Sequence, residues 1–174
     1  MRNSYSREAL KVLLIGVTGD THNNLKNISE ICKIFNEVNP SFVIHTGDIT
    51  LPKALREFSN LTMPLIGVFG NNDQEEKKEL FIESKKYGFK FYDEPYFFEK
   101  DGLKITILHH PELISEQMTK EMDYVFHGHT HRYRSETVDN ALIFNPGECA
   151  GFLKGKNNIG FVDTQKKESQ IISF

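Results

Sequence analysis

Tyr124-Val125-Phe126-His127-Gly128-His129-Thr130-His131 decides how the rest of the chain is read. The apolar run at its head has the make-up of a buried strand, and the polar stretch behind it carries two histidines one residue apart. In extended backbone, residues i and i+2 project from the same side, so both imidazoles reach one shared pocket. Metal sites are built this way, and so are pairs of histidines that merely bond carbonyls; the pattern alone leaves both readings open.

Outward from this stretch the same construction recurs. Lys11 to Thr18 is a short branched apolar run ending in Gly19-Asp20-Thr21-His22, and Ser41 to His45 ends in Thr46-Gly47-Asp48. Pro64 to Phe69 ends in Gly70-Asn71-Asn72-Asp73, and Leu103 to Leu108 ends in His109-His110-Pro111. Each run reads as a strand. Between them, Asn24 to Val38 places Leu25, Ile28, Ile31, Ile34, Phe35 and Val38 at helical spacing behind a cap at Asn23 or Asn24. Pro52 to Phe58 reads as a short helix, Gln74 to Tyr87 as a helix with acids first and lysines last, and Pro111 as the start of a helix running to about Glu121. Phe89 to Glu99 reads as one or two strands at a sheet margin. Asp123 to Phe126, Ser135 to Val138, Ala141 to Phe144, Ile159 to Asp163 and Gln170 to Ser173 complete the strands. Alternating strands and helices followed by a run of strands predict an α/β architecture with helices outside one or two central sheets. Ligands in such folds lie beyond the carboxyl ends of strands, which puts all these polar clusters on one rim.

At 174 residues the chain fits a single domain over 1–174, with residues 1–10 expected as a flexible N-terminal extension. A hydrophobic share of 39% with 26% charged residues is that of a globular protein. The net charge of −3 and pI near 6.2 supply no basic footprint for long nucleic acid, while a small phosphorylated substrate remains compatible. Cys32 and Cys149 form no Cys-x-x-Cys pair, so neither a disulfide framework nor a thiolate zinc site is supported, and a reducing cytoplasm is expected. The apolar run at Leu13 is too short for a signal peptide, and no segment has the length of a membrane span.

All seven histidines lie within or immediately before a strand-end motif. Asp20, His22, Asp48, Asn71, His109, His129 and His131 form a set of nitrogen and oxygen donors, too many for one tetrahedral ion and suited to two. Two cations ~3.5–4 Å apart stabilise the attacking and leaving oxygens of an in-line displacement and make a bridging water acidic, as phosphoryl ester hydrolysis requires. His45 and His127 precede ligand motifs and are expected to support or pack rather than ligate. Asp73 reads as a helix cap with Glu76 completing a capping box, or as a residue that orients Asn72. Asn145-Pro146-Gly147 is a turn or a phosphate contact, Phe97 and Phe98 are core or a homo-oligomer contact, and the lysine pairs are solvated faces.

In this order, Gly19-Asp20-x-His22, Gly47-Asp48, Gly70-Asn71-Asn72-Asp73, Leu108-His109 and Gly128-His129-x-His131 resemble the calcineurin-like metallophosphoesterase superfamily. Spacing and size look most like its small YfcE-like branch of phosphodiesterases, and the likeness continues through Asn145-Pro146-Gly147-Glu148. The resemblance implies a central β-sandwich of two mixed sheets flanked by helices. It implies Asp20, His22 and His131 on one metal, Asn71, His109 and His129 on a second, and Asp48 bridging them. It further implies two divalent ions, manganese first and nickel, zinc, iron or magnesium as alternatives, with a hydroxide between them attacking a small phosphodiester. The wider superfamily has a histidine after the ligand asparagine, where this chain has Asn72. An amide donates a hydrogen bond but no proton at neutral pH, so esters with good leaving groups are expected unless His110 or a metal-bound water supplies the proton. Asn72, Asp73 and His110 are accordingly the catalytic candidates. The alternatives are a non-catalytic metal-binding scaffold for protein partners, as a retromer subunit resembling this branch is, and a dinuclear phosphomonoesterase or nuclease.

Overall fold

The inward and outward alternation along β1 (Leu14–Thr18) sets the layering in the computed structural model, which describes residues 13–152 and 155–174. Ile15 and Val17 face a core shared between two sheets, while Leu14 and Gly16 face a helical layer. The expected start of this strand at Lys11 and the expected extension over 1–10 lie outside the described residues.

Helix α1 (Leu25–Val38) returns the chain over β1, burying Ile28, Ile31, Cys32 and Phe35, with the Asn24 side chain accepting from Asn27 N as its cap. Then come β2 (Phe42–His45), α2 (Pro52–Phe58), β3 (Leu65–Val68), α3 (Lys77–Lys86) and β4 (Lys90–Tyr92). The second half supplies β5 (Tyr96–Lys100), β6 (Leu103–Ile107), α4 (Glu116–Glu121), β7 (Tyr124–Phe126), β8 (Arg134–Val138), β9 (Ala141–Asn145), β10 (Asn158–Asp163) and β11 (Glu168–Ser173). One sheet runs β11-β10-β1-β2-β3-β4 and the other β5-β6-β7-β9-β8. Each has a parallel centre and antiparallel strands at its flank, with Gly16 opposite Val43 in the first and Val125 opposite Ile143 in the second.

Ile15, Val17, Phe42 and Ile44 of the first sheet meet Ile105, Ile107, Phe126 and Phe144 of the second in the inner core. Helices α1, α2 and α3 cover the outer face of the first sheet, and Met118 beside α4's neighbour Met122 covers Val125 and Ile143 on the outer face of the second. The result is the expected sandwich of two mixed sheets between helices. Its parallel strands β1, β2, β3, β6 and β7 all end on the rim where the polar motifs begin.

Two helices differ from the sequence reading. Residues 71–73 form a 3₁₀ turn and α3 begins only at Lys77, because the Asp73 carboxylate is turned onto other backbone and cannot cap a helix there. The segment from Pro111 breaks into a 3₁₀ turn over Pro111–Leu113 and a separate α4. Ile114 is extended and packs against the outer core, and the Ser115 hydroxyl then caps α4 by accepting from Met118 N. Phe98 packs against the inner core whereas Phe97 is 48% exposed. No helix among the described residues is long and apolar enough to cross a membrane.

At Gly16 a Cβ would stand 2.7 Å from the Phe35 ring and 3.2 Å from Pro40. Gly16→Ala should therefore destabilise the fold by roughly 1–3 kcal/mol, seen as a melting temperature several degrees lower. Adding Phe35→Leu should recover part of that loss; a Gly16→Ala protein that melts like its parent would show that α1 is not held at this distance.

Candidate metal centre

The rim loops after β1, β2 and β7 leave their strands by left-handed turns. Asp20, His22, Asp48, His129 and His131 all have positive φ, between 39° and 68°. Non-glycine residues enter this region at a cost and are found there mainly where surrounding contacts fix them. These turns aim the side chains back across the strand ends.

Asp48 is 2% exposed and stands at the centre. Its Oδ2 lies 3.4 Å from His22 Nε2 and 3.5 Å from His109 Nε2, so one carboxylate faces both sides of the site. On the first side, His22 Nε2 and His131 Nε2 are 3.3 Å apart, and His131 Nε2 is 3.5 Å from Asp20 Oδ1. On the second side, Asn71 Oδ1 lies 2.9 Å from His109 Nε2 and 3.1 Å from His129 Nδ1, and the two ring nitrogens are 3.2 Å apart. The first sheet supplies Asp20, His22, Asp48 and Asn71; the second supplies His109, His129 and His131.

His109 Nδ1 lies 2.9 Å from the Thr46 carbonyl, so in the neutral ring that nitrogen carries the proton and Nε2 presents a lone pair. On the second side an amide oxygen, the His109 Nε2 lone pair and His129 Nδ1 then meet. Nitrogen and oxygen donors without thiolate suit a divalent cation. Groups able to hold an ion are Asp20, His22 and His131; Asp20, Asp48 and His109; and His109, His110 and His129, each with donor atoms within 4.8 Å of one another. The residues present fit a metal centre.

The supporting contacts are as specific as the donors. Buried Glu148 places Oε2 3.3 Å from His131 Nδ1, and His131 is raised above its ordinary pKa first by its hydrogen bond with Asp20, against burial, with Glu148 adding to the rise. Asp20 also accepts from His129 N at 3.0 Å. Asn72 donates its backbone N–H to Asp48 Oδ1 at 2.9 Å and its side-chain amide to Oδ2 at 2.7 Å, clamping the central carboxylate. Asp73 neither caps α3 nor reaches the donors. It is fully buried, and its oxygens accept from the backbone N–H groups of Asp48, Ile49, Thr50 and Gly70 at 2.7–2.9 Å. Burial pushes its carboxyl above the ordinary value in spite of those donors.

Glu94 is the residue that sequence reasoning missed. Its Oε2 accepts from His109 N and His110 N, and its Oε1 lies 2.5 Å from His110 Nδ1, leaving Nε2 as the free nitrogen of that ring. Burial alone would raise this carboxyl, but the hydrogen bonds from His110 and His109 hold it below its ordinary value. Nothing in the sequence pattern marks Glu94, since the contact joins segments 15 positions apart in the chain. His45 and His127 are buried beside the donors as expected. Gly47 N donates to His45 Nδ1, and burial lowers the pKa of His45 to about 3 and of His127 to about 4. Asn145 donates to the Gly128 carbonyl and to Thr130 Oγ1, so it braces the loop that carries His129 and His131.

A profile of the calcineurin-like phosphoesterase superfamily domain matches residues 13–167. The chain is 40% identical over 159 residues to phosphodiesterase MJ0936 of Methanocaldococcus jannaschii, covering 88% of this chain and 95% of that protein. A solved archaeal phosphodiesterase superposes with a TM-score of 0.84 at 40% identity, covering 93% of this chain and all of the other (100%). The phosphoesterase YfcE of E. coli shares the fold, with a TM-score of 0.68 at 17% identity over 92% of this chain and 99% of its own.

Asp73→Asn should cost about 2–4 kcal/mol of stability, because it turns an amide N–H₂ toward buried N–H donors. Urea denaturation reads this loss. Divalent-metal affinity, followed by calorimetry, should fall as well although Asp73 faces no donor atom; unchanged affinity would mean that the Asp48 loop is held by other contacts.

Proposed function

The chain belongs to the calcineurin-like phosphoesterase superfamily, and from that premise we propose that it hydrolyses small or activated phosphodiesters with two divalent ions, manganese foremost. One observation carries the reading: all seven family donor positions are filled, and Asp48 faces both halves of the set. In this reading Asp20, His22 and His131 would hold one ion and Asn71, His109 and His129 the other, with Asp48 facing both groups. Bound divalent ions supply Lewis-acid charge for the phosphoryl oxygens and an acidified water.

The chain's own residues do the rest. Asn72 and the loop fixed by Asp73 hold the Asp48 carboxylate in one orientation. Glu148 fixes His131, and the Thr46 carbonyl fixes the tautomer of His109. Asn72 cannot deliver a proton, so we assign the leaving oxygen to His110: Glu94 accepts from Nδ1, and the ring in its imidazolium form carries the second proton on Nε2, from which it is delivered. A scaffold role finds less support, because a site kept only for protein contact has no need of buried carboxylates among histidines, an arrangement costly without a cation. Cys32 and Cys149 are buried and unpaired, with both thiols pushed up to about 12 by burial, which supports the cytoplasm as the working compartment.

Protein stripped of metal and reloaded with manganese, nickel, zinc or magnesium should hydrolyse bis(p-nitrophenyl) phosphate and melt at a higher temperature than the stripped form. Asp48→Ala and His129→Ala should each lower turnover on the order of 10³-fold. Strong cleavage of the monoester with none of the diester would replace this reading with a phosphomonoesterase.

Leaving-group dependence tests the second assignment. His110→Ala should slow diesters with alkyl leaving groups about 10²-fold and p-nitrophenyl esters much less, with Glu94→Gln following in the same direction. An equal loss across the series would remove His110 from that role.

A further inference from the structure

Phe152 is 67% exposed, the most exposed of the large apolar side chains among the described residues. Single exposed apolar residues are ordinary on protein surfaces. This one differs in what it touches. Its ring is parallel to His131, with centroids 5.7 Å apart and planes 9° apart, and it meets His22 at 5.4 Å. Both are donors of the first metal position, so an aromatic ring stands at the mouth of the site with most of its surface turned to solvent.

The backbone leading to it is anchored. The Asn24 side chain donates to the Ala150 carbonyl at 2.9 Å and the Asn27 side chain to the Cys149 carbonyl at 2.8 Å. Cys149 Sγ contacts the Asn158 carbonyl at 2.8 Å, while Glu148 lies on His131. Gly151 then turns the chain at φ 81°, where a Cβ would stand 2.8 Å from the Asn24 amide nitrogen. Helix α1 and the loop after β9 thus share in presenting Phe152 to the donors. A ring held this way gains nothing from core burial, and its free surface can take a second planar group.

We propose that Phe152 is a specificity-determining platform for the ester group that stays on phosphorus, so that the enzyme prefers diesters bearing a planar aromatic substituent there. This rests on the phosphodiesterase reading above. His110 and Glu94 flank the second side of the site, where the leaving oxygen was assigned, and Phe152 lies on the first side, against His22 and His131. The two substituents of a bound diester therefore meet different surroundings. Stacking between a protein ring and a planar substituent changes affinity by about tenfold or more when the ring is removed.

Three diesters with one leaving group isolate the effect: p-nitrophenyl phenyl phosphate, the p-nitrophenyl ester of thymidylate, and methyl p-nitrophenyl phosphate. The manganese-loaded protein should favour the phenyl or the thymidine ester over the methyl ester by about tenfold in kcat/KM, and which of the two gains separates an aryl from a nucleobase preference. Phe152→Ala should collapse that ratio to below about threefold and Phe152→Tyr should keep it, while manganese affinity by calorimetry stays the same in all three proteins. Binding gives a readout apart from turnover: phenylphosphonate should bind the manganese-loaded protein more tightly than methylphosphonate, and Phe152→Ala should erase the difference. No preference in the parent, a proportional loss on all three diesters, or a parallel loss of manganese affinity would overturn the platform. Absence of turnover on every diester would instead strike at the phosphodiesterase reading, and the two phosphonates would still decide the role of Phe152.

Discussion

Asp73 reaches none of the donor atoms, yet the geometry of the centre depends on it. A buried carboxylate gathers four backbone N–H groups, three from consecutive residues after β2 and one from the end of β3. Charge-assisted hydrogen bonds of this kind are stronger than neutral ones, and losing the acceptor would leave several buried donors unpaired. The carboxylate therefore locks two rim loops to each other. One of them carries Asp48 at φ 60° and Thr50 at φ 72°, conformations the chain would not keep by local preference. The left-handed turn that aims Asp48 at both halves of the site is held in place by a residue 25 positions away.

The same logic extends around the rim. Five donor residues adopt positive φ, and each of their loops is tied down by contacts from elsewhere in the chain. Asp20 accepts from His129 N, so the first and last motifs fix one another; Asn145 holds the Gly128 carbonyl; the Thr46 carbonyl holds His109. An ion binding here would meet groups already placed, which reduces the ordering its binding would require. Strain in the turns and rigidity of the donors are two aspects of one arrangement.

Much of this was legible in the sequence, for physical reasons. The helix over Pro52–Phe58, the cap at Asn24 and the short apolar strands are local, and their signals lie within a few residues. The residues that converge on the rim were legible because histidine and carboxylate at strand ends are few and ordered. What escaped reading depends on contacts between distant segments. Asp73 has the spacing of a helix cap, but the Asp48 loop competes for its carboxylate and wins, so α3 starts later than its acids suggest. Glu94 lies in a stretch that reads as plain strand margin, and only the pairing of β5 with β6 brings its segment beside His110. Phe152 belongs to no motif, and only the fold sets it on His131.

The centre also straddles the seam between the sheets, and this ties its geometry to the apolar core beneath. Asp20, His22, Asp48 and Asn71 ride on β1, β2 and β3, whereas His109, His129 and His131 ride on β6 and β7. The sheets meet through Ile15, Val17, Phe42 and Ile44 against Ile105, Ile107, Phe126 and Phe144, side chains that are fully or almost fully buried. Close-packed interiors yield little, so the spacing of the sheets is set by the volumes of those side chains. The same spacing sets the distance from Asp48 to His109, one donor from each sheet. A change of one methylene in that layer would be felt in the separation of Asp48 and His109 at the strand ends, which ties the inner core to the candidate site on the rim.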